Sequence, residues 1–155
     1  MPMKVLATAA LLLLAAAALP AAGQVAVDRS HILGAGAQIS FPYDELGDEY
    51  NTGWGVQGML DYPVIPLFHL CAHAGWNTFP RVAAGESLDV WEITGGGRVV
   101  LGAFFMGGEV GWYDKGDHWS WVPSLGLRFS RIEVAWRVRA VGRDAYTSAR
   151  VGWYF

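Results

Sequence analysis

All eight tryptophans of this chain fall on one side of a two-residue alternation, and no charged residue joins them there. Successive side chains of a β-strand point to opposite faces, so a pattern of period two sorts a chain into two surfaces. Eight segments carry the pattern, at roughly 31–41, 53–62, 67–76, 88–100, 103–113, 119–129, 132–141 and 146–155. One surface collects Leu33, Ile39 and Phe41, then Trp54 and Leu60, Phe68 and Trp76, Trp91 and Ile93, and Phe104 and Trp112. Trp119, Trp121 and Leu125 continue it, followed by Val134 and Trp136, and by Val151, Trp153 and Phe155. The opposite surface is small or polar. It holds Gln38, Gln57, Asp61, His69, Cys71, His73, Glu92, Arg98, Glu109, Arg128, Glu133, Arg137, Arg139 and Arg150, with glycine at many places between. No stretch beyond residue 24 sustains a helical period.

The connections alternate in length. Residues 42–52 form a long acidic loop, 77–87 another, and 114–118 and 142–145 shorter ones, whereas 63–66, Leu101-Gly102 and Ser130-Arg131 are tight. Long loops at one end and short turns at the other mark an up-and-down barrel with two unlike ends. The bore of an eight-stranded barrel is only wide enough to be filled by side chains. Eight tryptophans would overfill it. The glycine-rich polar set fits, and its charges can pair: the Ser130-Arg131 turn sets Arg128 opposite Glu133, and the Leu101-Gly102 turn sets Thr94 opposite Glu109, with Arg98 further along. The aromatic face therefore points outward, to lipid. The expected fold is an all-β, eight-stranded antiparallel up-and-down transmembrane β-barrel, whose closure pairs every backbone group. Trp54, Trp76, Trp91, Trp112, Trp119 and Trp121 lie beside the long loops as an aromatic girdle, and Trp153 and Phe155 lie at the other rim.

The N-terminus has the layout of a secretory signal peptide: a short start with Lys4, an Ala/Leu run over Val5–Leu19, and small residues at Pro20–Gly23. Residues 1–23 are expected to be cleaved, leaving 24–155 as one barrel domain in the cell outer membrane. The single cysteine, Cys71, has no partner for an internal disulfide and lies too far from the leader to carry a lipid anchor. A formal charge of −3 argues against a nucleic-acid partner.

Two stretches, "WEITGGGRVVLGAFFMGGEVGWY" and the closing "ARVGWYF", resemble the small eight-stranded outer-membrane barrels of Gram-negative bacteria, the OmpA-barrel and OmpX group. The likeness lies in a Gly-Gly-Arg strand, a tight turn, a Gly-x-Glu-x-Gly strand, and a chain that ends on Phe with an aromatic two places earlier. In that group the last strand is the signal read by the barrel-assembly machinery, which the resemblance assigns here to Val151, Trp153 and Phe155. The group usually has glycine where this chain has Arg150. The resemblance implies architecture and location more than activity. It implies as partners outer-membrane lipid, lipopolysaccharide and, during biogenesis, the assembly machinery, with the protein a monomer.

Several motifs invite chemistry. In "HLCAH", His69, Cys71 and His73 share one strand face and are good zinc ligands, but i and i+2 on a strand stand roughly 6.5–7 Å apart, so the set also reads as polar filler and no metal or cofactor is expected. A lipid-modifying barrel enzyme would need a serine and histidine near the rim, for which His118 and Ser120 are the nearest pair. The arginines Arg128, Arg137, Arg139 and Arg150 could line an anion pore, or be neutralised by Glu92, Glu109, Glu133 and Asp61 in a plugged bore, which the narrow barrel favours. The acidic 42–52 loop could bind divalent cations or simply be solvated. The expectation is a non-enzymatic outer-membrane barrel with a structural or loop-mediated role. Its alternatives are the lipid-modifying enzyme and a soluble lipocalin-like binder with the aromatic face inside.

Overall fold

The computed structural model describes residues 32–115, 119–139 and 145–155. The expected leader 1–23, the strand start at His31, His118 and residues 140–144 lie outside the described residues. The strands are β1 (Leu33–Pro42), β2 (Gly53–Ile65), β3 (Phe68–Phe79), β4 (Leu88–Leu101), β5 (Phe104–Tyr113), β6 (Trp119–Phe129), β7 (Ile132–Arg139) and β8 (Tyr146–Tyr154), with one short helix, α1 (Asp44–Glu49), between β1 and β2. Each strand pairs antiparallel with the next, and β8 pairs with β1, so the sheet closes.

The registers fix the barrel's shape. Continuing each register from Ile32, backbone partners run through Asp61, Cys71, Gly96, Glu109, Val122, Arg139 and Tyr146 back to β1 at Pro42, ten residues further along. With a rise of ~3.3 Å per residue and ~4.7 Å between strands, that stagger tilts the strands by roughly 40° to the axis.

Parity decides which residues face out. All eight tryptophans point away from the bore, Trp119 at 65% exposure, and Phe155 does so at 64%. The tryptophan-lined bore expected of the lipocalin-like alternative is therefore not what the strands build. Pairing sets tryptophans beside one another: Trp76 faces Trp91, Trp112 faces Trp119, and Trp54 meets Trp76 edge-on at 5.2 Å between ring centroids. One charge does share the outer parity: Asp89, exposed at the long-loop rim of β4, lies one pair above Trp91, so the charge-free band begins below it.

Three local expectations need correction. The hairpin between β4 and β5 turns on Gly102-Ala103, not Leu101-Gly102, because Gly102 adopts φ 64°, the left-handed conformation a tight hairpin needs at its first turn residue. Glu109 therefore faces Gly96, and Thr94 faces Gly111. The turn after β2 shrinks to Pro66-Leu67, with β2 running on through Pro63. That residue lacks a donor N–H and sits where the register slips, between Pro63 and Ile65. Third, the 42–52 segment is not plain loop. Its acidic Asp44 and Glu45 occupy the first turn of α1, where the helix dipole favours them, and the helix's one apolar side chain, Leu46, tucks into the barrel mouth.

The bore is not only small and polar. Phe79, Val90, Tyr113, Val122 and Tyr146 pack under Leu46 at the long-loop end, and Met59, Phe105 and Tyr154 are buried toward the short-turn end. Between these apolar caps lies the ionic layer.

Candidate functional site

All eight strands contribute inward polar side chains, and what they build is a continuous hydrogen-bonded network. Its short-turn half is an alternating chain of charge. Asp61 on β2 accepts Arg98 from β4 (2.5 Å and 3.0 Å), Arg128 from across the bore on β6, and His69 Nδ1 from β3 (3.0 Å). Arg98 continues to Glu133 on β7 (2.7 Å), and Glu133 also takes Arg150 from β8 (2.5 Å) and the hydroxyl of Tyr154 (3.1 Å). Two rings brace the guanidiniums: Arg98 lies over Phe105 at 4.4 Å and Arg128 over Tyr154 at 3.8 Å.

The long-loop half centres on Arg137, which reaches Glu92 and Glu109 at 3.2 Å each. Glu109 also accepts Thr94 Oγ1 and meets His73 Nδ1 at 2.7 Å, and Tyr146 donates to Glu92 at 3.0 Å. Arg139 lies over the Tyr113 ring at 3.8 Å and donates to the Lys115 carbonyl at 3.4 Å. One amide joins the halves. Gln57 Oε1 accepts both Arg150 (2.8 Å) and Arg137 (3.3 Å), and Gln57 Nε2 begins a relay through Gln38 (2.5 Å) to Asn77 (2.6 Å).

The structure joins Asp61, Glu92, Arg98, Glu109, Arg128, Glu133, Arg137 and Arg150 by ion pairs, but not always with the predicted partner. Arg128 sits opposite Glu133 in the hairpin register as expected, yet its ion pair is with Asp61, while Arg98 and Arg150 take Glu133. Thr94 meets Glu109 although the register moved, because diagonal cross-strand neighbours remain within reach. Alternation alone could flag Asn77 and the hub role of Asp61 as inward positions. Partners across the bore have no signal in it.

His69, Cys71 and His73 do not converge. The imidazoles turn to different carboxylates, and among the described residues no cluster of histidine, cysteine and acid that could hold a metal is assembled. Ser120 is buried in the bore and donates to the Trp121 carbonyl, so it is not a lipid-facing nucleophile; His118 lies outside the described residues. The girdle residues Trp54, Trp91, Trp112, Trp119 and Trp121 are exposed and Trp76 half-buried, all at the long-loop end. Val151, Trp153 and Phe155 line the outer face of the closing strand, where the Phe155 N–H donates to Leu33 O at 2.9 Å.

The centre of the bore is occupied by paired, buried charges. Arg98, Arg137 and Arg150 are at most 3% exposed, and each carboxylate meets at least one guanidinium. Fold and bore together define a class: a closed eight-stranded cylinder, apolar outside and ionic inside. No protein-family model matches the chain, and no curated protein matches it.

Proposed function

We propose that this chain is an integral outer-membrane β-barrel of the small kind exemplified by the OmpA-barrel and OmpX group. On this reading it is exported by residues 1–23, is monomeric, and serves a structural role or an interaction carried by the long loops. The observation that supports it is the inversion of the usual protein plan. The ions are sealed in the middle, and a belt of exposed Trp, Phe, Leu, Ile and Val runs round all eight strands. Water-soluble monomers rarely expose an apolar patch beyond a few hundred Å². A closed sheet satisfies its own backbone in hydrocarbon, and tryptophans gathered at one rim suit a membrane interface. The short turns would face the periplasm and the long loops the exterior. Lipid and lipopolysaccharide are the partners this surface fits, with Val151, Trp153 and Phe155 offered to the assembly machinery.

A non-catalytic role is favoured over the lipid-modifying enzyme because Ser120 turns inward and His73 is paired within the bore. A plug is favoured over an anion pore because Arg98, Arg137 and Arg150 are buried and each is held by a carboxylate. Membrane fractionation with heat-dependent gel mobility tests the reading. The protein should need detergent for extraction and migrate faster in SDS before boiling than after. Recovery in the salt-soluble fraction would sink it.

A further inference from the structure

The outer apolar belt is not equally thick all round. On the β3–β6 side outward glycines are roofed by rings: Phe68 lies over Gly97 and Trp121 over Gly108. Toward β1 and β2 the roof is missing. A Cβ on Gly58 would meet only the Ala74 carbonyl, and one on Gly95 only the Cys71 carbonyl, each at 3.9 Å. Ala35, Ala37 and Ala74 are exposed beside Gly58. Together they floor a furrow of about 970 Å³ in the outer surface.

The registers give the furrow a direction. Trp153 pairs with Ala35, Ala35 with Gly58, Gly58 with Ala74, Ala74 with Ile93, and Ile93 with Trp112. Five steps of ~4.7 Å between strands make that row roughly 24 Å long. Because the strands tilt, the row climbs from Trp153 at the short-turn rim to Trp112 at the long-loop rim. Ile132 and Val151 wall its lower end, Trp76 and Trp91 its upper end. The shape is that of an extended alkyl chain lying obliquely across the belt, and the volume is that of a ligand pocket.

Charge at the upper end decides which amphiphile fits. Asp89 has the outward parity and stands exposed one residue pair above Trp91, where the furrow ends. Asp44, Glu45, Asp48, Glu49, Glu86 and Asp114 lie at the same end, against Arg81 and Lys115 among the described residues outside the bore. This field repels an anionic head. An ammonium would meet the Asp89 carboxylate, with the Trp76 and Trp91 rings beneath it.

We propose that the furrow seats one chain of a membrane lipid whose head group carries a primary ammonium. The ammonium sits at Asp89 and the chain runs down over Ala37, Gly58 and Ala74. The inference rests on the membrane reading and goes beyond it, naming a preferred lipid and its place on the wall.

The test is tryptophan quenching in phosphatidylcholine vesicles. These carry, at one fixed mole fraction, a brominated-chain phosphatidylethanolamine, phosphatidylcholine or phosphatidylglycerol. Trp76, Trp91, Trp112 and Trp153 line the furrow and report a bromine held in it. The ethanolamine lipid should quench as though about two- to fivefold more concentrated locally than the choline lipid, the range expected of one exposed ion pair. Asp89→Asn should erase that preference and Asp89→Glu keep it. Gly58→Leu and Ala74→Leu fill the floor with every charge in place and should erase it too. Leu125→Ala, on the opposite wall, should not. Equal quenching by the three lipids, stronger quenching by the glycerol lipid, or a preference that survives Asp89→Asn or Gly58→Leu overturns the proposal. Equal quenching together with disulfide cross-linking of Ala74→Cys between copies assigns the furrow to a second copy and overturns it likewise. A chain that inserts yet shows no preference leaves the membrane reading standing, whereas a chain that does not insert sinks both.

Discussion

Replacing Glu133 by glutamine removes one charge and hardly any volume from the centre of the bore. Glu133 is fully buried and accepts Arg98 at 2.7 Å, Arg150 at 2.5 Å and Tyr154 at 3.1 Å. Glutamine keeps one acceptor oxygen and turns an amide donor toward the other guanidinium. One charge-assisted bond of ~1.5–3 kcal/mol is lost, the tyrosine bond of ~1 kcal/mol weakens, and two buried cations share one fewer carboxylate. Breaking a buried pair by removing one partner costs about 3–5 kcal/mol, the same range. With a urea slope of ~2 kcal/mol/M, the unfolding midpoint should fall by about 2 M. Tryptophan fluorescence and heat-dependent mobility in urea, on protein embedded in vesicles, measure it. Adding Arg98→Met should return about 1–3 kcal/mol, since one orphaned cation is then gone. A loss below about 1 kcal/mol, no larger than for the outward Val134→Ala, would refute the reasoning. It would mean that water reaches these guanidiniums and the plug is wet.

Leu46→Ala should loosen α1 without loosening the barrel. It removes about 2 kcal/mol of packing against Phe79, Val90 and Tyr146, so a glutamate-specific protease should nick Glu45 or Glu49 about 30-fold faster while the urea midpoint stays put. Two glycines should respond oppositely. A Cβ on inward Gly107 would sit 2.7 Å from Arg98 Cβ and 2.8 Å from the Gly97 carbonyl, so Gly107→Ala should cost about 1–3 kcal/mol by urea titration. A Cβ on outward Gly58 meets nothing nearer than 3.9 Å, so Gly58→Ala should be neutral or stabilise by about 0.5 kcal/mol. Deleting Phe155 removes the hydrogen bond to Leu33 and the final outward ring. Assembled protein in cells should fall severalfold while refolding into detergent changes less than twofold, which quantitative blotting of unboiled samples would show.

What the residues told in advance follows from how alternation works. Period two assigns a face, so the outward set from Leu33 to Phe155 and the inward charges were legible without coordinates. Local turn chemistry assigns a register, and Ser130-Arg131 did so correctly. At Leu101-Gly102-Ala103 two placements of one glycine compete. The chain chose the one that puts Gly102 first in the turn, moving Glu109 from Thr94 to Gly96. Contacts across the bore obey neither rule. Asp61 and Arg128 lie on β2 and β6, on opposite walls, and their meeting depends on the ten-residue stagger and on side-chain reach. The same is true of Arg98 on Glu133. The inward turn of Leu46 was hidden for a further reason: six residues of acidic helix give too short a pattern to show which way one leucine points.

The seam between β1 and β8 has a consequence for how the chain comes into being. Gly34 pairs with Tyr154 and Pro42 with Tyr146, so the first strand waits for the last before the circle can lock. Until then two raw edges stand open on a greasy ribbon, free to zip onto any neighbour. Half a barrel is therefore worth less than none, and a catalyst that shelters both edges until they meet would decide whether a newly made chain ends as a cylinder or a clump.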